Sequence, residues 1–348
     1  EWLTRYGAGI YLEESSGVQV ARCRARRVQN GLLLDRVNGG QIWDNDFSFL
    51  SGWGLGLWRS NENVVSRNAF DFCIRGYSHG VYNRGQDSAG ILIFEQNSRN
   101  IFIENSATHG GDGIFGFAGR EALGETDGLP ADFDCLRRGN NDNLFLRNDL
   151  SFAAAHGLEM TFSFGNRIVG NHFVGNAICG IWGGYSQETV ILDNLFEKNG
   201  EAGYGLERGG VNIEHSKKNR IESNQFVENR CGVHLWWDPD EHFAQKPWAL
   251  ANGVECSGNQ ILGNLFLKDE VALHLRACES IEVGGNVMTE VGRELDADPP
   301  GQVVEVSPRR FAHAAEPVPP IGATRPVGAR RGLRGREKIV IDEWGPWD

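Results

Sequence analysis

Five side chains able to exchange protons recur at similar places in the sequence. They are Asp112 in "HGGDG", His156 and Glu159 in "AHGLE", Glu214 in "VNIE" and His234 in "VHLWW". Each sits in, or just before, a short apolar run opened by glycine. Two carboxyls in one site act as acid and base when their surroundings push their pKa values apart. Glu159 and Glu214 are the best such pair. His234 reads either as a general base or as a hydrogen-bonding group. Asp112 and His156 read as a His–Asp pair, as a cation site completed by a loop acid, or as a polar ladder at a bend. Around them stand residues that suit a ligand: Trp182, Trp236, Asn212, Phe115, Thr161, Arg276 and Asp238. Sugar rings offer apolar faces to Trp, while their hydroxyls bond Glu, Asn and His. The acids of "WWDPDEH", from Trp236 to His242, add calcium ligands, a catalytic acid or only solvated charge.

A repeat positions these groups. Asn45, Asn68, Asn105, Asn148, Asn171, Asn194, Asn224, Asn264 and Asn286 fall in one column, with gaps of 23, 37, 43, 23, 23, 30, 40 and 22. The base period is 22–23 residues, and the longer gaps carry insertions. A second polar column precedes the first, and Phe and Ile columns flank it. The stretch "NRIVGNHFVGNAICGIWGGY", Asn166 to Tyr185, is one such unit. So short a unit cannot bury its apolar side alone, and stacking the units does bury it. One coil per repeat places like residues over one another, about 4.8 Å apart. Asn at the bends is expected to take the left-handed conformation and to bond the coils above and below.

The same register exposes one face. Each coil has a second strand headed by glycine, among them Gly113, Gly157, Gly180, Gly210 and Gly232. Alternation turns the second residue after each glycine outward, and the fourth as well. The outward set includes Phe115, Glu159, Trp182, Asn212 and His234, then Thr161, Glu214, Trp236 and Arg276. Insertions 72–88 and 200–209 leave one edge of these strands, and 118–140 and 237–256 leave the other. Two loop walls with a trench between them are the simplest geometry. Leu92, Phe94, Phe115 and Phe117 fit a second core beneath the loops better than ligand contact. Glu159 and Glu214 lie about 12 Å apart at Cα by strand spacing and rise. Side chains leaning together would close to roughly 6–9 Å, the inverting-glycosidase range.

The pattern "NxIxxNxFxxNxxxGI" resembles the right-handed parallel β-helix proteins of the pectin-lyase-like superfamily, over about Gly9 to Met288. The resemblance implies an all-β, right-handed parallel β-helix of about ten coils. It also implies carbohydrate chemistry, because that superfamily holds polysaccharide lyases, glycoside hydrolases, uronate epimerases and non-catalytic adhesins. A secreted or periplasmic bacterial location follows from it as well. The motifs of polygalacturonase-like hydrolases do not occur here. Asp238-Pro239-Asp240-Glu241-His242 only partly matches the Asp-Pro-His-Asp of mannuronan epimerases. A lyase or epimerase must also neutralise a uronate, for which Arg120, Arg208 and Arg276 are the candidates. The expectation is a glycoside hydrolase acting through Glu159 and Glu214. A lyase or epimerase using His234 or His156 is the alternative, and a glycan-binding scaffold is the third reading. No cofactor is required, with calcium as an option.

Composition sets limits on partners. The net charge of −12 disfavours nucleic acid and anionic membranes. No apolar run is long enough to span a bilayer. The partner is expected to be a poly- or oligosaccharide. From residue 291 the repeat stops, and a Pro- and Arg-rich segment reads as a linker or edge cover leading to a further domain. The seven Cys include no CxxC pair, which disfavours a zinc site. Cys256 and Cys278 share a column on adjacent coils. They suit a disulfide or a ladder of small residues, for Ser60, Ser163, Ser186 and Ser216 stand in that column too.

Overall fold

The repeats stack into a right-handed parallel β-helix. The computed structural model describes residues 7–347 apart from 84–86, 204, 206, 299–302, 308–316, 327–329 and 331. Among the described residues the strands form two 11-stranded parallel sheets and a third of five strands. The first sheet holds the glycine-headed strands, including Asp112–Phe117, His156–Met160, Cys179–Trp182, Gly209–Glu214, Val233–Trp236 and Val271–Arg276. The second runs from Gln19–Ala21 to Val303–Glu305. Register is kept coil after coil, so Ile168, Ile191, Ile221 and Ile261 are successive partners.

The inward columns make a dry core. Phe173, Phe196, Phe226 and Phe266 stack with ring centroids 4.8 Å apart and planes within 7° of parallel. That spacing is the strand spacing itself, so each ring meets its copy on the next coil. The glycines opening the first-sheet strands are explained by this stack. A Cβ on Gly180 would stand 2.7 Å from Phe196 Cδ1 and 2.6 Å from the Gly210 carbonyl oxygen. What those positions demand is space for the neighbouring ring and backbone.

The asparagines bond between coils as expected. Asn171 Nδ2 donates to Asn194 Oδ1 at 3.0 Å and to the Phe145 carbonyl at 2.9 Å, while its backbone N–H donates to Asn194 Oδ1 at 2.8 Å. A further ladder, Asn176–Asn199–Asn229–Asp269, repeats the arrangement. The left-handed expectation needs correction. Positive φ falls on the residue before each ladder Asn, as at Arg67, Glu104, Arg147, Asp193 and Ser223. The Asn amides are engaged between coils, so the preceding residue, polar or glycine, makes the bend.

Insertions 118–140 and 237–256 meet as one wall. Short helices Glu241–Ala244 and Pro247–Asn252 carry Trp248, which is buried and donates from Nε1 to the Arg138 carbonyl at 3.0 Å. Asn252 ties the two loops together, with Nδ2 donating to the Cys135 carbonyl at 3.0 Å and Oδ1 accepting from Arg137 N–H at 2.8 Å. The C-terminal segment lies along the solenoid. Ile321 exchanges hydrogen bonds with Ser66 Oγ, Ala323 N–H donates to Asp44, and Arg330 pairs with the buried carboxylate of Asp71. Ile339 packs with Phe72, Ile74 and Tyr82.

Candidate active site

The first sheet presents the expected outward columns. Phe115, Glu159, Trp182, Asn212, His234 and His274 are successive register partners, and so are Glu214, Trp236 and Arg276. Register alone does not leave them open. Asn212, His234, Trp236 and Thr161 are buried, which corrects the expectation that they line an accessible surface. Trp236 folds back so that its Nε1 donates to Asn212 Oδ1 at 2.9 Å, and Asn212 Nδ2 lies 3.1 Å from His234 Nδ1. The His234 ring also stacks on His274 at 4.1 Å. These groups form a sealed polar layer between the sheet and its cover. Phe115 packs with Leu33, Leu92 and Trp53, the outer cluster expected for it. Arg276 is half-buried, with Asp298 as its register partner on the next coil.

Two carboxylate–imidazole clusters remain, one on each side of half-buried Trp182. The first is Asp112, His156 and Glu159. Asp112 Oδ1 accepts the His156 backbone N–H at 2.9 Å, and His156 Nε2 lies 3.8 Å from Glu159 Oε2. The His156 ring stacks against Trp182 with centroids 5.9 Å apart. Thus the structure groups Glu159 with His156 and Asp112, as strand register dictates.

The second cluster is Glu214, His215 and Asp238. His215 Nε2 is 3.8 Å from Glu214 Oε1 and 3.6 Å from Asp238 Oδ1. Its Nδ1–H donates to the Val254 carbonyl at 2.6 Å, so the neutral ring keeps its lone pair on Nε2, facing both carboxyls. Burial pulls the His215 pKa below its ordinary value, against the raising effects of the Val254 carbonyl and Asp238. Glu214 is pushed up to about 7, first by burial and then by the charges of Asp238, Glu207 and Asp240. The Glu214 side chain is 18% exposed and that of Asp238 40%. Tyr185 stacks on His215 at 4.4 Å and donates to Asp240 Oδ2 at 3.3 Å.

Sequence reasoning missed His215 and Tyr185 for one physical reason. Both sit at bends with positive φ, His215 at 50° and Tyr185 at 60°. Simple alternation turns residue 215 inward, and the bend turns it back out. Phe162, Tyr185, His215 and Trp237 stand five residues after their glycines. That column, read as bend positions, is the signal that would have found them. Phe162 and Tyr185 stack at 4.7 Å, so the column is real in space as well.

In either cluster one ring nitrogen and two carboxylate oxygens lie within 4.8 Å of one another, close enough to share a divalent cation. Imidazole suits a transition ion, whereas calcium takes oxygen ligands. Among the described residues no helix is long and apolar enough to cross a membrane.

No curated protein sequence matches the chain. Solved structures are similar to it at low identity. The A-module of mannuronan C-5 epimerase AlgE6 from Azotobacter vinelandii is 12% identical over 84% of this chain and 65% of its own, with a TM-score of 0.42. The catalytic unit of a GH87 α-1,3-glucanase from Streptomyces thermodiastaticus is 10% identical over 87% of this chain and 49% of its own, with a TM-score of 0.44. The surface adhesin PfbA of Streptococcus pneumoniae is 10% identical over 81% and 70%, also at 0.44. The chain therefore spans less than two thirds of the length of the first two. A family profile described as "Right handed beta helix region" matches residues 8–183 and 132–244. With the ladder register and stacked core above, that match over more than half of the chain shows that it belongs to the right-handed β-helix family.

Proposed function

We propose that the protein is a carbohydrate-active enzyme, and that it hydrolyses a glycosidic bond at the cluster Glu214–His215–Asp238 beside Trp182. The observation that carries this reading is the Glu214 carboxyl. Burial and three neighbouring acids push it up to about 7, so a substantial protonated fraction persists at neutral pH, in reach of a second, more exposed carboxylate. A glycosidic oxygen leaves as an alcohol only if it receives a proton. Glu214 donates it, and Asp238 on the other side serves as nucleophile or base. Carboxylate oxygens of the two within 4.8 Å suit direct attack by Asp238 better than an interposed water. Val254 fixes the His215 ring, whose Nε2 faces both acids and can accept from protonated Glu214. Trp182 offers the flat apolar face on which a sugar ring would stack. Glu159, expected as the partner of Glu214, takes the role of binding sugar hydroxyls from the first cluster. The proposed proton transfer needs only these side chains. The substrate is a poly- or oligosaccharide, consistent with a site on the long side of a solenoid.

A screen against neutral and uronic polysaccharides tests this reading. The expected product is new reducing ends without absorbance near 235 nm. A second reading is favoured by one observation, the unprotonated Nε2 of neutral His215. That atom could abstract a proton beside a uronate carboxyl. Absorbance near 235 nm would then appear and mark a lyase. Binding without turnover on every substrate would point to a glycan-binding scaffold.

A further inference from the structure

The seven cysteines of the chain are all present as thiols in the structure, and most are small buried residues. Two of them differ from the rest. Cys256 and Cys278 are register partners on neighbouring parallel strands, Cys256–Ser257 and Cys278–Glu279. Their Sγ atoms approach to 2.6 Å, and both side chains are buried in the main core. Register partners on adjacent strands lie about 4.8 Å apart at Cα, inside the range that a disulfide spans.

The column that holds them gives a contrast. Elsewhere it carries Val37, Asn97, Asn140 and serines, and the serine hydroxyls find oxygen acceptors. Ser60 Oγ donates to the Trp58 and Leu34 carbonyls, Ser186 Oγ to the Met160 carbonyl and Ser216 Oγ to Asn259 Oδ1. At two later coils two consecutive thiols face each other, and Cys278 Sγ also takes serine-like contacts to the Leu235 carbonyl at 3.1 Å and the Arg276 carbonyl at 3.3 Å. A thiol is a weak donor and gains little from such acceptors. Burial raises the pKa of the Cys256 thiol, so a thiolate is disfavoured there in the folded chain.

The position has a consequence for the site. Cys256 is where wall insertion 237–256 rejoins the solenoid. Val254, two residues earlier, supplies the carbonyl that holds His215. Cys278 Sγ lies 3.1 Å from the Leu235 carbonyl, on the strand that leads into the same insertion. A covalent link here would fasten the return of the wall to the coil beneath it.

We propose that Cys256 and Cys278 form a disulfide when the chain folds under oxidising conditions, pinning the end of the wall that holds His215. The two thiols each lose a proton and together two electrons. A disulfide oxidant, protein-borne or small, accepts the electrons and leaves as two thiols. Exchange takes place before the column closes, since the native pair is sealed from solvent. The link depends on no assumption about substrate.

The full chain is refolded with oxidised and reduced glutathione, denatured without reductant, alkylated, and its intact mass measured. Five alkylated thiols are expected, with seven after prior reduction, and one proteolytic fragment joining the Cys256 and Cys278 peptides. Seven alkylated thiols in the oxidised sample, or a link between other cysteines, would overturn the proposal. A second measurement needs no mass analysis. Reductant should lower the Tm of the oxidised wild type by about 5 °C. It should leave C256S/C278S unmoved. An equal response in both proteins would count against the bond, and the mass result on the wild type decides the matter if the double variant does not fold.

Discussion

The two clusters beside Trp182 contain the same chemistry in different mountings. Asp112, His156 and Glu159 all come from strands of the first sheet, and their spacing follows from register alone. Glu214 is also on a strand, but His215 sits at a bend and Asp238 at the root of a wall loop. The second cluster thus draws acids from a loop toward a half-buried carboxyl. Burial first, and then these loop acids, push the Glu214 carboxyl up to about 7. A regular lattice fixes distance well. An insertion adds the unbalanced charge that a general acid requires.

The largest expected effect separates the clusters directly. Glu214→Gln should lower turnover by about 10³-fold while leaving the fold intact, as general-acid contributions of that order imply. Asp238→Asn should follow at about 10²- to 10³-fold. Glu159→Gln should act mainly on KM. If Glu159→Gln instead matched Glu214→Gln in turnover, the assignment of roles would be reversed and the pairing of Glu159 with Glu214 restored.

The pH profile sharpens the contrast. A general acid works only while protonated, so kcat/KM should fall as pH rises through about 7, and the fall should vanish in the residual activity of Glu214→Gln. Stability follows the same group. Its folded pKa lies above the unfolded value near 4.5, so between those two pH values the folded chain binds more protons. Stability contributed there is present below the unfolded pKa and lost as pH rises through the folded one. Denaturant melts at pH 8 should therefore show Glu214→Gln more stable than wild type by on the order of 1–3 kcal/mol.

Smaller effects belong to Trp182 and to the interior. Trp182→Ala should weaken oligosaccharide affinity about fivefold to tenfold with little change in turnover, read by calorimetry on the Glu214→Gln background. Dialysis against EDTA should leave turnover unchanged, and a loss restored by manganese or zinc would place a cation in one of the clusters. In the interior, Asn171→Ala should cost about 1–3 kcal/mol, because it leaves buried partners on two coils unsatisfied.

Much of this was legible in the residues. The Asn and Phe columns gave the coil, the register and the sheet that carries both clusters. The alternation rule correctly turned Glu159, Trp182 and Glu214 outward. It failed where the backbone leaves the strand. His215 and Tyr185 lie at left-handed bends that invert the rule. Asn212 and His234 face outward as read, yet the indole of Trp236 closes over Asn212 and a neighbouring imidazole over His234. Periodicity encodes direction from the sheet. Cover depends on rotamers and on loops whose path no period describes.

The bond between Arg330 and Asp71 links residues 259 positions apart. Asp71 is fully buried among early coils, where Ser106 and Thr108 also donate to it. Its counter-charge therefore comes from outside the repeat, from the segment that lies along the solenoid. The interior of an early coil is thus completed by a residue far along the chain, and the two must meet before that carboxylate is paired.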